Sequence, residues 1–62
     1  MYKFEIFRDL QGQFRWRLLG RFGRVIATSD ASYRSEQIAT GALQELRAQV
    51  VDADVRLEQR AA

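Results

Sequence analysis

Gln13-Phe14-Arg15-Trp16-Arg17-Leu18 alternates large apolar and charged residues without a break. A period of two places Phe14, Trp16 and Leu18 on one face of a strand and Arg15 and Arg17 on the other. The segment therefore predicts a sheet with one buried face and one wet face that carries arginines. Working outward, residues 2–8 repeat the pattern with Tyr2, Phe4 and Ile6 against Lys3 and Glu5, and break it at Phe7 and Arg8. Asp9-Leu10-Gln11-Gly12 between the two runs reads as a tight turn, so strands at about 2–8 and 13–19 form a hairpin. After a second turn at Gly20-Arg21-Phe22-Gly23, residues 24–29 are rich in β-branched types and read as a third strand of the same meander.

Downstream the period changes. Ser35 is a fitting N-cap, with Glu36 in the first turn where the helix dipole favours an acid. Ile38, Ala39, Ala42, Leu43, Leu46 and Val50 then recur at spacings of three and four, which predicts one amphipathic helix over about 35–50. Gly41 lies inside it, and close approach of helix to sheet is the expected reason. Beyond Asp52-Ala53, Val55 and Leu57 alternate with Asp54, Arg56 and Glu58, which predicts a short fourth strand at about 54–58. The expected fold is α+β: a three-stranded antiparallel meander with one helix packed on it, and a last strand that needs a neighbour. That neighbour is either the chain's own sheet or the sheet of a second copy.

Composition narrows the function classes. Sixty-two residues make one domain with a marginal core. Such domains gain stability from disulfides, a metal or a partner chain. The chain has no cysteine and no histidine, so a disulfide framework is excluded and zinc, haem and the usual general base are disfavoured. No cofactor is expected. Oligomerisation is the remaining route, and Val50, Val55 and Leu57 are the candidate dimer-interface residues. No apolar run approaches the ~20 residues that span a bilayer. With no recognisable leader either, the expected location is the cytoplasm, with no membrane partner.

The eight carboxylates sit at positions that read as solvent-facing or as turns. Asp52 and Asp54 lack the glycine-bearing loop of a calcium site. Ser29, Ser32 and Ser35 have no histidine to activate them, a Ser–Lys arrangement would need Lys3, and turns and caps account for them. No catalytic, metal or cofactor residue is therefore assigned, and the chain is expected not to be an enzyme. Charge is uneven: residues 1–34 hold seven basic and three acidic groups, residues 35–62 three basic and five acidic. Arg15 and Arg17, flanked by Arg8 and Arg24, are the candidate contacts for a polyanion or partner, either nucleic-acid phosphates or an acidic protein. A net charge of +2 is low for dedicated DNA binding. Phe14 and Trp16 read as core, and Tyr33 as packing where the sheet meets the helix.

The ordered series Phe4-Glu5-Ile6, Arg15-Trp16-Arg17-Leu18, Gly23-Arg24-Val25-Ile26-Ala27-Thr28-Ser29 and Tyr33-Arg34-Ser35 resembles the YegP-like family of small prokaryotic domains. The resemblance runs from about Tyr2 to Leu46, and Gly41 stands where that family tends to have a helix glycine. It implies a β-β-β-α-β unit used twice, in tandem or as two chains that share a sheet and exchange C-terminal strands. This chain holds one such unit over 1–62, so the resemblance implies a homodimer and leaves the activity open. Phe22 departs from the pattern, because the family usually has asparagine there. Asparagine tolerates the left-handed conformation of a tight turn and phenylalanine does not.

Overall fold

The computed structural model describes residues 1–59. Three strands, β1 (Lys3–Arg8), β2 (Phe14–Leu19) and β3 (Val25–Thr28), form an antiparallel sheet in the order β1-β2-β3, followed by one helix, α1 (Glu36–Val50). The β1–β2 turn is built by Asp9, whose Oδ1 accepts from the backbone N–H groups of Gln11 and Gln13, each at 2.9 Å. Gly12 supplies the positive φ (79°) that lets the chain reverse. This closure sets the register, with Phe4 opposite Leu18, Ile6 opposite Trp16 and Arg8 opposite Phe14. A shift between Leu18 and Leu19 then bends the β2–β3 ladder, where Leu18 faces Ala27 and Leu19 faces Val25.

The helix starts where its cap is: Ser35 Oγ accepts from Ile38 N at 3.0 Å. It lies over β1 and β2. Leu43 and Arg47 face Tyr2, Phe4 and Leu18 across a shared groove, so the covered face is the one carrying Phe4, Trp16 and Leu18. Phe4 and Trp16 meet edge to face, with ring centroids 5.7 Å apart and planes at 82°. Buried apolar side chains are few: Leu19, Ala39 and Leu43. The ends of the helix stripe, Ile38 and Val50, stay half exposed, and every residue of β3 is exposed.

Two expectations meet a different structure. Residues 53–59 form no helix or strand, and Val55 and Leu57 are 102% and 83% exposed. In the single chain the segment at 54–58 thus does not return to its own sheet. Gly41, in turn, is exposed, and no atom lies within 4 Å of where its Cβ would be. Close approach to the sheet is not the reason for it. Gly41→Ala should therefore stabilise the chain by about 1 kcal/mol, through helix propensity alone. A thermal melt followed by circular dichroism should rise by roughly 4–8 °C; a lower midpoint would mean that the position is covered in solution.

Candidate functional site

The uncovered face of the sheet carries Lys3, Glu5 and Phe7 from β1 and Arg15 and Arg17 from β2, as the register pairs Glu5 with Arg17 and Phe7 with Arg15. Arg17 is held on two sides. Its Nε donates to Glu5 Oε1 at 2.8 Å, and its guanidinium carbon lies 4.5 Å from the centre of the Phe7 ring. Lys3 Nζ adds a second, looser contact to Glu5 at 3.7 Å. The bond from Arg17, with the nearby charges of Arg17 and Lys3, holds the Glu5 carboxyl below its ordinary range. Phe7, which breaks the β1 alternation, is half-buried beneath Arg17.

Arg15 is also engaged inside the chain. Its Nη2 donates to the carbonyl of Ser29, and its Nε is buried without an acceptor. Ser29 is the most buried polar residue of the described chain, at 1% exposure. Its hydroxyl extends the sheet past the end of β3, since Oγ accepts from Trp16 N at 3.3 Å and donates to the Ala31 carbonyl at 2.8 Å. Its own N–H reaches the Trp16 carbonyl at 2.9 Å. The next polar turn closes onto the same strand, because Phe14 and Tyr33 exchange two backbone bonds of 2.7 Å. Ser32 Oγ reaches Asp9 Oδ2 at 3.2 Å and ties this turn to the β1–β2 turn. The backbone bond from Gln13, helped by those from Gln11 and Ser32, keeps the Asp9 carboxyl below its usual range. Ser29→Ala removes both hydroxyl bonds at a buried position, and a loss of about 1–3 kcal/mol is expected. Urea denaturation should show it as a lower midpoint with an unchanged slope; an unmoved midpoint would mean water takes over both bonds.

The four candidate arginines do not form one patch. Arg8 lies on the opposite face, where its guanidinium carbon is 5.2 Å from the centre of the Phe14 ring. Arg24 lies outside the strands, at the end of a single 3₁₀ turn, Arg21–Gly23. Only Arg15 and Arg17 share a face, and both already have internal partners. Of the interface candidates, Val50 ends the helix at 50% exposure, while Val55 and Leu57 lie in the open segment that follows.

In the sequence the 3₁₀ turn stands out through Phe22, where the family pattern has asparagine. That residue has φ 62° and ψ 24°, the left-handed region, and it is 100% exposed. Gly20 N donates to the Arg24 carbonyl at 2.7 Å and closes the loop around it. An open groove of about 540 Å³ runs beside the turn, bordered by Tyr2, Arg21, Phe22, Arg24, Val25 and Ile26. Among the described residues there is no group of three or more acidic side chains placed to hold a metal ion, and no helix long and apolar enough to cross a membrane.

Residues 9–56 match a family described as a domain of unknown function, DUF1508. Among solved structures, the chain is similar to the NMR solution structure of a protein from Haloferax volcanii, with 33% sequence identity and a TM-score of 0.80. The alignment covers 92% of this chain and 95% of that one. No curated protein matches the chain.

Proposed function

The chain belongs to the DUF1508 family, the YegP-like domains, and from that premise we propose that it works as a non-enzymatic homodimeric module with a structural or protein-interaction role. One observation carries the reading: a single copy leaves large apolar side chains exposed, at Val25 and Ile26 on the outer strand, at Ile38 and Val50 near the ends of the helix, and at Val55 and Leu57 in the segment after it. Apolar surface of that extent marks an interaction face, and a second copy of the chain supplies a matching one.

In this reading Val50, Val55 and Leu57 meet the second copy, and the alternating segment at 54–58 pairs with an open strand edge of that copy. Polyanion binding through Arg8, Arg15, Arg17 and Arg24 has less support, because Arg17 would have to leave Glu5 and Arg15 the Ser29 carbonyl. Light scattering of the full chain at low micromolar concentration tests the proposal. A mass of about twice the 7.2 kDa chain is expected, and a stable monomer would overturn it.

A further inference from the structure

We infer that the Arg21-Phe22-Gly23-Arg24 turn is a contact tip for single-stranded nucleic acid, with a base stacked on the Phe22 ring and backbone phosphates held by Arg21 and Arg24. The residues that would touch the strand, Arg21, Phe22 and Arg24, are none of Val50, Val55 and Leu57, which are assigned to the contact between copies. The starting point is a local conflict. A bulky side chain at φ 62° is a backbone outlier that glycine or asparagine would relieve, and Gly23 beside it also has positive φ (71°). Phe22 gains no packing inside the chain in return, since it is wholly exposed. Strain without internal compensation points to a role outside the chain.

Charge decides the kind of partner. Arg21 and Arg24 bracket the ring, both are exposed, and neither has an ion-pair partner among the described residues. Among the described residues no carboxylate borders the groove beside them, whereas a second aromatic, Tyr2 at 64% exposure, does. Two unpaired guanidinium groups around an aromatic anchor favour a partner that is itself anionic. A nucleic-acid strand uses both parts: every base offers a face to an aromatic ring, and every linkage carries a negative charge for arginine. Duplex DNA fits less well, because its bases are already stacked.

The test is a fluorescence-anisotropy titration of the full chain with labelled ten-nucleotide oligo-dT, its duplex form as competitor, at several salt concentrations. Two phosphate contacts on a single strand predict a slope of log affinity against log salt of about −1.4. Phe22→Asn should weaken binding roughly tenfold, the usual scale for one lost stack. The same variant should melt no lower than the parent, because asparagine suits the turn, so the loss is not unfolding. Arg21→Ala with Arg24→Ala should flatten the salt slope. No binding at 50 mM salt, binding indifferent to Phe22→Asn, or equal preference for duplex would each overturn the inference. So would a Phe22→Asn chain that light scattering shows to be monomeric where the parent is a dimer, since the ring would then belong to the contact between copies.

Discussion

Leu43→Ala is expected to leave the chain largely unfolded or barely folded at room temperature. Leu43 is 7% exposed and, with Ala39 one turn earlier, forms the part of the helix that the sheet covers. Cutting a buried leucine to alanine costs about 2–5 kcal/mol, from lost transfer energy and the cavity left behind. A domain of this length is stable by only about 3–9 kcal/mol. The sheet offers little to refill the gap, because Leu18 and Phe4 opposite already border an open groove and have no packed layer behind them to advance. The melting midpoint should fall by at least about 10 °C, or the transition should lose its cooperativity. Leu10→Ala is the control: Leu10 is 101% exposed at the β1–β2 turn, and its removal should shift stability by no more than about 0.5 kcal/mol. Equal, small shifts for both variants would show that the helix does not seat on the sheet through Leu43.

The meander was legible because each strand has its own punctuation. Phe14, Trp16 and Leu18 alternate cleanly with Arg15 and Arg17, and Asp9 and Gly12 are the residue types that an acceptor-closed turn with positive φ requires. The side taken by Arg8 was also legible in principle. It has the parity of Phe4 and Ile6, so it falls on their face, opposite Arg15 and Arg17. Its neighbour Phe7 takes the arginine face, which its apolar character disguised, because cover by Arg17 comes from a diagonal contact across strands that one strand's pattern does not contain. Ser29 illustrates another limit. Its hydroxyl stands in for a backbone acceptor at the end of β3, a role fixed only when Trp16 lies opposite. Gly41 misled for a plainer reason: a helix glycine signals missing bulk, and sequence does not say whether anything fills the space.

The segment after the helix is where one chain's structure and its sequence pattern part company, and Val55→Asp with Leu57→Asp brings them to a test. In the single copy both side chains are exposed, so the double substitution should cost the monomer nothing. In the proposed dimer it acts on four side chains at once. Full burial of each aliphatic side chain is worth about 1.5–3 kcal/mol, and an aspartate in its place also brings a charge that must stay hydrated. Alternation with Asp54, Arg56 and Glu58 means both substitutions fall on the same face of any strand the segment forms, and the polar face is untouched. The variant should scatter as a 7.2 kDa chain where the parent scatters as twice that mass. Its melting midpoint should also drop and lose its dependence on protein concentration, since a fold completed by a partner gains stability by mass action and one completed alone does not. An unchanged dimer would move the interface to β3 and the helix ends, where Val25, Ile26 and Ile38 supply the other exposed apolar surface.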